Sequence, residues 1–225
     1  MNIVIADYHK GNLKSVERGL AAAGADVLVT DDASALARAD AIVLPGVGSF
    51  ADASASMRTL GQMDVIRDRV AEGVPFLGIC LGLHLMFEEG VEGSPQDSDR
   101  TATHHAPGLA LLPGVVGALP KMDEVGITYK IPHVGWNSIE CDAVSPADFA
   151  CPLLRGIQSG EFFYFTHGYC APDTSYAVAK TVHSTTFPSV VAYRDTAFGV
   201  QFHPEKSSDA GAVLLRNFVN IAKGV

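Results

Sequence analysis

The residues of this chain best suited to covalent chemistry are a cysteine set between two glycines, Gly78-Ile79-Cys80-Leu81-Gly82. One apolar run ends there and another begins, the pattern of a strand that turns sharply into a helix with a nucleophile at the corner. The glycines are expected to permit that turn. A thiol at a helix N-terminus meets the positive end of the dipole and unpaired backbone N–H groups, which favour the thiolate. A buried small residue would fit the same string, so the reading needs a base. His203-Pro204-Glu205 offers one at the end of an apolar strand, where parallel-sheet proteins assemble their sites. Pro204 stops the strand, and Glu205 can hold the imidazole tautomer while His203 takes the thiol proton. The plain alternative is a strand-end histidine followed by a turn and a solvated acid. The third element is Pro45-Gly46-Val47-Gly48. Glycines on both sides of Val47 let backbone N–H groups face a developing oxyanion, each such donor lowering the barrier by about 3 kcal/mol. An ordinary glycine turn is again possible, but a phosphate-binding loop is not, since no Gly-Lys-Ser/Thr follows.

The elements that must carry these groups alternate along the first hundred residues. Asn2–Asp7, Asp26–Thr30, Ala41–Leu44 and Phe76–Ile79 read as short apolar strands. Helices are expected over Asn12–Ala23, Asp32–Arg38, Ala51–Leu60 and Met63–Glu72, with another after the elbow. Unbroken apolar strands separated by helices predict a parallel sheet covered on both faces. Gly90–Pro107 is polar, aperiodic and rich in Gly, Ser, Pro and Asp, so it reads as a mobile surface loop. Beyond it, Val115–Leu119, Glu161–Phe165, Tyr176–His183, Ser189–Arg194 and Ala197–Phe202 are short strands with little helix between them, hence an antiparallel portion. Gly211–Ala222 closes the chain as an amphipathic helix. The fold class is therefore α/β, a mostly parallel sheet flanked by helices with an antiparallel C-terminal portion, in one domain over residues 1–225.

Composition narrows the function classes. The chain has 225 residues, 16 Lys plus Arg against 25 Asp plus Glu, and a net charge of −9. That balance argues against a general nucleic-acid binder, which needs a basic face. No apolar run approaches membrane-spanning length. The start, Met1-Asn2-Ile3-Val4-Ile5-Ala6-Asp7, lacks the basic region of a signal peptide. Cys80, Cys141, Cys151 and Cys170 are widely spaced with no CxxC, which suits free thiols in a reducing compartment, the cytoplasm.

Taken together, the glycine turn, the cysteine elbow and the distant His-Pro-Glu resemble the class I (triad) glutamine amidotransferases. Further segments narrow the resemblance: Asp7-Tyr8 with Gly11-Asn12, Leu44–Phe50, Ile131-Pro132-His133-Val134-Gly135-Trp136-Asn137, Tyr164-Phe165-Thr166-His167 and Gly199–Ser207. From residue 2 to about 222 the chain is similar to the glutaminase subunits of imidazole glycerol phosphate synthase. The resemblance implies that glutamine is hydrolysed and its ammonia channelled to a partner, a (β/α)8-barrel cyclase making imidazole glycerol phosphate and AICAR in histidine biosynthesis, as a heterodimer. It implies no cofactor and no metal. By the same resemblance Cys80 is the nucleophile, His203 the general base and acid, and Glu205 its orienter. The backbone N–H groups of Val47 and Leu81 would form the oxyanion hole. Gly48, His84, Glu92, His167 and Gly168 match the glutamine site, and Asn12, His133, Trp136, Tyr164 and Lys206 match positions facing the partner or the ammonia exit.

Two departures stand out. The family pattern has Gln four residues after the nucleophile, where this chain has His84. A neutral imidazole offers one donor and one acceptor, so it is expected to replace that Gln rather than abolish glutamine binding. Gly168 stands where many relatives carry Ser or Thr, and its contact is expected to be mostly backbone. Cys141, Cys151 and Cys170 lack an elbow or base and read as structural thiols, His9 and His183 as satisfied polar groups, His104-His105 as loop residues and Asp31-Asp32 as a helix start. The competing readings are another class I amidotransferase, supplying ammonia to anthranilate, guanylate or pyridoxal phosphate synthesis, and a binding module with a vestigial site. The Pro-His-Val-Gly-Trp-Asn segment is not expected in the former; only His84 favours the latter.

Overall fold

The computed structural model describes residues 1–94, 105–141 and 151–225. In chain order the elements are β1 (Asn2–Ala6), α1 (Leu13–Ala22), β2 (Asp26–Thr30), α2 (Ala33–Leu36), β3 (Ala41–Gly46), α3 (Phe50–Thr59), α4 (Gln62–Ala71), β4 (Phe76–Cys80), α5 (Leu81–His84) and β5 (Phe87–Gly90). There follow β6 (Ala106–Pro107), β7 (Leu112–Ala118), β8 (His133–Ile139), β9 (Glu161–His167), β10 (Tyr169–Cys170), β11 (Ala177–Val182), β12 (Thr186–Tyr193), β13 (Ala197–Val200) and α6 (Ser208–Lys223).

The central sheet runs β11-β12-β13-β4-β3-β1-β2. Five of its strands, β2, β1, β3, β4 and β13, are mutually parallel, while β12 and β11 pair antiparallel at one edge. Because side chains alternate along a strand, β1 feeds two cores. Ile3 and Ile5 pack with α1 and α6 on one face; Val4 and Ala6 pack with α3 and α4 on the other. The inner strands show no polar alternation because both faces are covered, and all five residues of β4 are buried. α6 buries Gly211, Leu214, Leu215, Phe218 and Val219, the spacing of one helical stripe, and ends at Gly224 in the left-handed region. Asp32 caps α2, its carboxylate accepting the Ser34 N–H at 2.8 Å, so the acidic pair does mark a helix start.

The expected class, α/β and mostly parallel, is what the chain forms, but the later strands divide differently. β13 stands at the junction, antiparallel to β12 as expected but parallel to β4 on its other side. β7 sits in a separate four-stranded sheet, β10-β7-β5-β6, where it runs parallel to β5. β9 pairs with β8, a strand the sequence reading missed, in a two-stranded ribbon. The helix expected after the elbow lasts four residues, and the chain then re-extends as β5. The Leu85-Met86-Phe87 run suits helix or strand equally; pairing of Phe87 with Leu112 decides it. Residues 95–104, the bulk of the expected loop and including His104, lie outside the described residues. Among the described residues no helix is long and apolar enough to cross a membrane.

Candidate active site

Sheet register gathers the three chemical segments at one edge. Gly46, the last residue of β3, stands opposite Cys80, the last of β4, and Ile79 stands opposite Val200, the last of β13. The glycine turn, the elbow and the run into His203 therefore leave adjacent parallel strands at the same level. This is the carboxyl edge where open α/β sheets bind ligands.

Cys80 takes φ 54 and ψ −104, a conformation an L-residue reaches only under constraint. On either side of it the glycines are packed against backbone. A Cβ on Gly78 would stand 2.5 Å from Gly82 O, and one on Gly82 would stand 1.8 Å from Leu44 O. Neither glycine has a positive φ. They are required by close approach of backbones, and the cysteine itself makes the turn that the sequence reading assigned to them. The sulfur lies 3.9 Å from Thr166 O and 3.8 Å from Gln201 Nε2, with the residue 7% exposed.

His203 is held by its backbone. Its N–H donates to Tyr164 O at 2.9 Å, its carbonyl accepts the Ser207 hydroxyl at 2.6 Å, and that hydroxyl in turn accepts the Tyr164 N–H at 3.0 Å. Phe202 beside it stacks on Phe163 with centroids 4.1 Å apart. Pro204–Lys206 forms a 3-10 turn that brings Glu205 back beneath the ring, with Oε1 2.8 Å from His203 Nδ1. Burial works against the imidazolium, but Cys80 and Glu205 more than offset it and raise the pKa to about 9. His203 Nε2 is buried and has no hydrogen-bond partner among the described residues.

A cavity of about 210 Å3 opens onto the sulfur, lined by Val47, Gly48, Cys80, Leu81, His84, Glu92, Thr166 and His167. Both expected oxyanion residues and four of the five expected substrate residues are among them. Gly168 is not; its carbonyl instead accepts the Leu119 N–H at 2.9 Å. Glu92 is tied to the start of α3, its carboxylate accepting the Phe50 N–H at 3.3 Å. Thr166 was not singled out in the sequence, though the segment carrying it was. Gly48 has φ +99. Gly46 needs glycine for space, because a Cβ there would stand 2.1 Å from the Tyr8 hydroxyl. Burial pushes that hydroxyl's pKa up, helped by the charges of Cys80 and Asp7, while the nearby Val47 amide partly opposes the shift.

Three further histidines, His84 and His167 at the cavity and His133 behind them, are held neutral. His167 Nδ1–H donates to Tyr169 O at 2.8 Å, which leaves Nε2 to accept from His133 Nδ1–H at 3.0 Å; His133 Nε2 then accepts from Asn137 Nδ2 at 3.3 Å. Burial lowers the pKa of His167 to about 3 and of His133 and His84 to about 4. Neighbouring histidines add to the shift at His167 and His133.

Of the residues matched to the partner side, Asn12 and Lys206 are exposed, Trp136 is 50% exposed, and Tyr164 is half-buried. Lys206 Nζ lies 5.9 Å above the Tyr164 ring, which meets Trp136 edge-on at 6.2 Å. His133 is buried behind His167. His9 meets Asp31 at 3.0 Å on the surface, and His183 meets Lys130 O at 3.0 Å while stacking on His133. All four cysteines are free, and no cluster of three metal-ligating side chains occurs among the described residues.

Comparison with known proteins adds the following. The family model described as glutamine amidotransferase class-I matches residues 4–222. The imidazole glycerol phosphate synthase subunit HisH of Syntrophotalea carbinolica is 43% identical over 219 residues, covering 96% of this chain and 98% of that protein. The HisH subunit of Geobacillus thermodenitrificans is 39% identical over 223 residues, covering 99% and 97%. A solved glutamine amidotransferase superposes with a TM-score of 0.69 at 18% identity over 99% of both chains, and a PurLQS structure from Thermotoga maritima with 0.68 at 16% over 98% of both. At that identity the structural likeness speaks to fold alone.

Proposed function

Since the chain belongs to the class-I glutamine amidotransferases, among the HisH subunits of imidazole glycerol phosphate synthase, we propose that Cys80, His203 and Glu205 hydrolyse glutamine and supply its ammonia to a cyclase partner for histidine biosynthesis. The observation carrying this reading is the meeting at one sheet edge of a strained Cys80, a cavity opening on its sulfur and a His203–Glu205 pair.

Glutamine seats its carboxamide in the cavity, and the sulfur attacks the carbonyl carbon while His203 Nε2 takes the thiol proton. The developing oxyanion is met by the backbone N–H groups of Leu81, at the start of α5, and of Val47. His203 returns the proton to the leaving nitrogen, ammonia departs, and a glutamyl thioester remains on Cys80. Water, deprotonated by His203, then attacks the thioester, the C–S bond breaks, and the proton restores the thiol as glutamate leaves. Glu205 holds the imidazole tautomer throughout. Gly48, His84, Glu92 and His167 surround the substrate, with Gly168 contributing backbone behind them. Asn12, Trp136, Tyr164 and Lys206 face the partner, a (β/α)8-barrel cyclase, and His133 borders the ammonia's way out. The chain works as one domain over residues 1–225, in a heterodimer in the cytoplasm, where its four free thiols stay reduced.

Cys80→Ala tests the reading. Glutamine-dependent synthesis by the complex should disappear while synthesis from added ammonia persists, because the cyclase needs only the nitrogen. Loss of both, or retention of both, would overturn it.

A further inference from the structure

Gln201 is fully buried at the end of an apolar strand, and nothing in the mechanism above uses it. Its backbone is fixed, the N–H donating to Ser189 O at 2.9 Å. Its side chain bridges two residues of the site: Oε1 lies 2.7 Å from His84 Nε2, and Nε2 lies 3.8 Å from Cys80 Sγ. We propose that Gln201 is a positioning residue for the Cys80 sulfur, and that His84 acts on the sulfur through it by deciding which end of the amide the sulfur meets.

A carboxamide has one donating end and one accepting end, so the two contacts are linked. With its proton on Nε2, His84 donates to Oε1, and the Gln201 NH2 is left facing sulfur. An N–H there favours the thiolate as attacking species and as leaving group when the thioester breaks. With its proton on Nδ1, His84 offers only a lone pair. The amide must then turn over, and its oxygen faces the sulfur, holding the protonated thiol and repelling the thiolate. His84 is kept neutral by burial, so it always has one donor and one acceptor to assign. Gln201 does not line the cavity, whereas His84 does. Gln201 itself therefore meets no glutamine, and its effect on the sulfur is read by a reagent that needs no glutamine site. This rests on the reading of Cys80 as the nucleophile.

The test uses the full chain, alone for labelling and with its cyclase for turnover. Cys80 labelling by iodoacetamide at neutral pH is followed by peptide mapping, and the thiolate by ultraviolet absorbance against matched Cys80→Ser controls. Gln201→Met, which keeps volume without the amide, should slow Cys80 labelling and lower kcat about tenfold with KM unchanged. His84→Leu should slow labelling by the same factor, the double variant no further, and His84→Gln should restore it because a side-chain amide can also donate. Thiolate absorbance should follow the labelling rates. An unchanged labelling rate in Gln201→Met, or losses that multiply in the double variant, would overturn the proposal. If Gln201→Met fails to fold, His84→Leu and His84→Gln decide: loss with rescue supports it, and equal rates overturn it. Wild-type label landing on Cys141, Cys151 or Cys170 instead would overturn the nucleophile assignment itself, a separate and recognisable failure.

Discussion

Glu205 Oε1 stands 2.8 Å from His203 Nδ1, while the far atom of each side chain, Glu205 Oε2 and His203 Nε2, is buried without a hydrogen-bond partner among the described residues. Cys80 and Glu205 together raise the His203 pKa from 6.5 to about 9 against the opposing effect of burial. A raised histidine stabilises the fold fully below its unfolded value and loses that contribution as pH climbs through the folded value. The urea midpoint should therefore fall between about pH 6.5 and 9, and glutamine turnover should fall as pH passes about 9. Glu205→Gln should flatten the stability slope; an equal slope in that variant would mean the pair is not its cause.

Acid should act through different residues. His84, His133 and His167 are neutral in the fold, with pKa values lowered to between about 3 and 4. Their contribution is present above 6.5 and is lost as pH falls, because the unfolded chain binds protons the folded chain refuses. Each steepens the slope by up to ~1.4 kcal/mol per pH unit. Urea titrations from neutral pH down to about 4.5 should show a shallower loss for His84→Gln than for the parent chain.

The Pro45–Gly48 turn is where partner and chemistry should couple. Gly48 has φ +99 with open space around it, so Gly48→Ala meets backbone strain rather than collision. If the Val47 N–H is thereby lost to the oxyanion, glutamine turnover in the complex should drop by up to roughly 10²–10³, with ammonia-dependent synthesis barely changed. In the parent chain, glutamate release should rise from the isolated subunit to the complex, and again when the cyclase holds its nucleotide ligand. Equal rates in all three would refute gating by the partner.

Trp136 is half-exposed and meets Tyr164 edge-on, with Lys206 over the opposite ring. Large aromatics in such positions dominate docking energies. Trp136→Ala should weaken association with the cyclase by about 2 kcal/mol, roughly 30-fold in Kd, yet leave the subunit's own unfolding midpoint within about 0.5 kcal/mol. Trp136 is the only tryptophan, so its fluorescence should report the docking directly.

The parts of this molecule legible in the sequence were those governed by local rules. β1, β3 and β4 announce themselves as short apolar runs, and Gly-x-Cys-x-Gly with His-Pro-Glu names a nucleophile and base before any contact is known. What escaped depends on partners distant in sequence. β5 is a strand because Phe87 pairs with Leu112, and β8 because seven of its residues face β9. The Gln201 contacts span 117 and 121 residues, and a lone Gln in an apolar strand was the one available hint. Gly78 and Gly82 were noticed for the wrong reason, because freedom of φ is a property of one residue whereas lack of room depends on which backbone lies opposite.

Of the four buried histidines near the nucleophile, His203 alone can carry a proton at neutral pH. On the mechanism proposed, that imposes a schedule. The proton taken from Cys80 has no other imidazole to rest on, so His203 remains occupied until the departing nitrogen collects it. The hydrolytic water cannot be deprotonated before then. Cleavage of the carbon–nitrogen bond must therefore precede hydrolysis of the thioester. A single imidazole would thereby fix the order of the two half-reactions, glutamate always following the nitrogen.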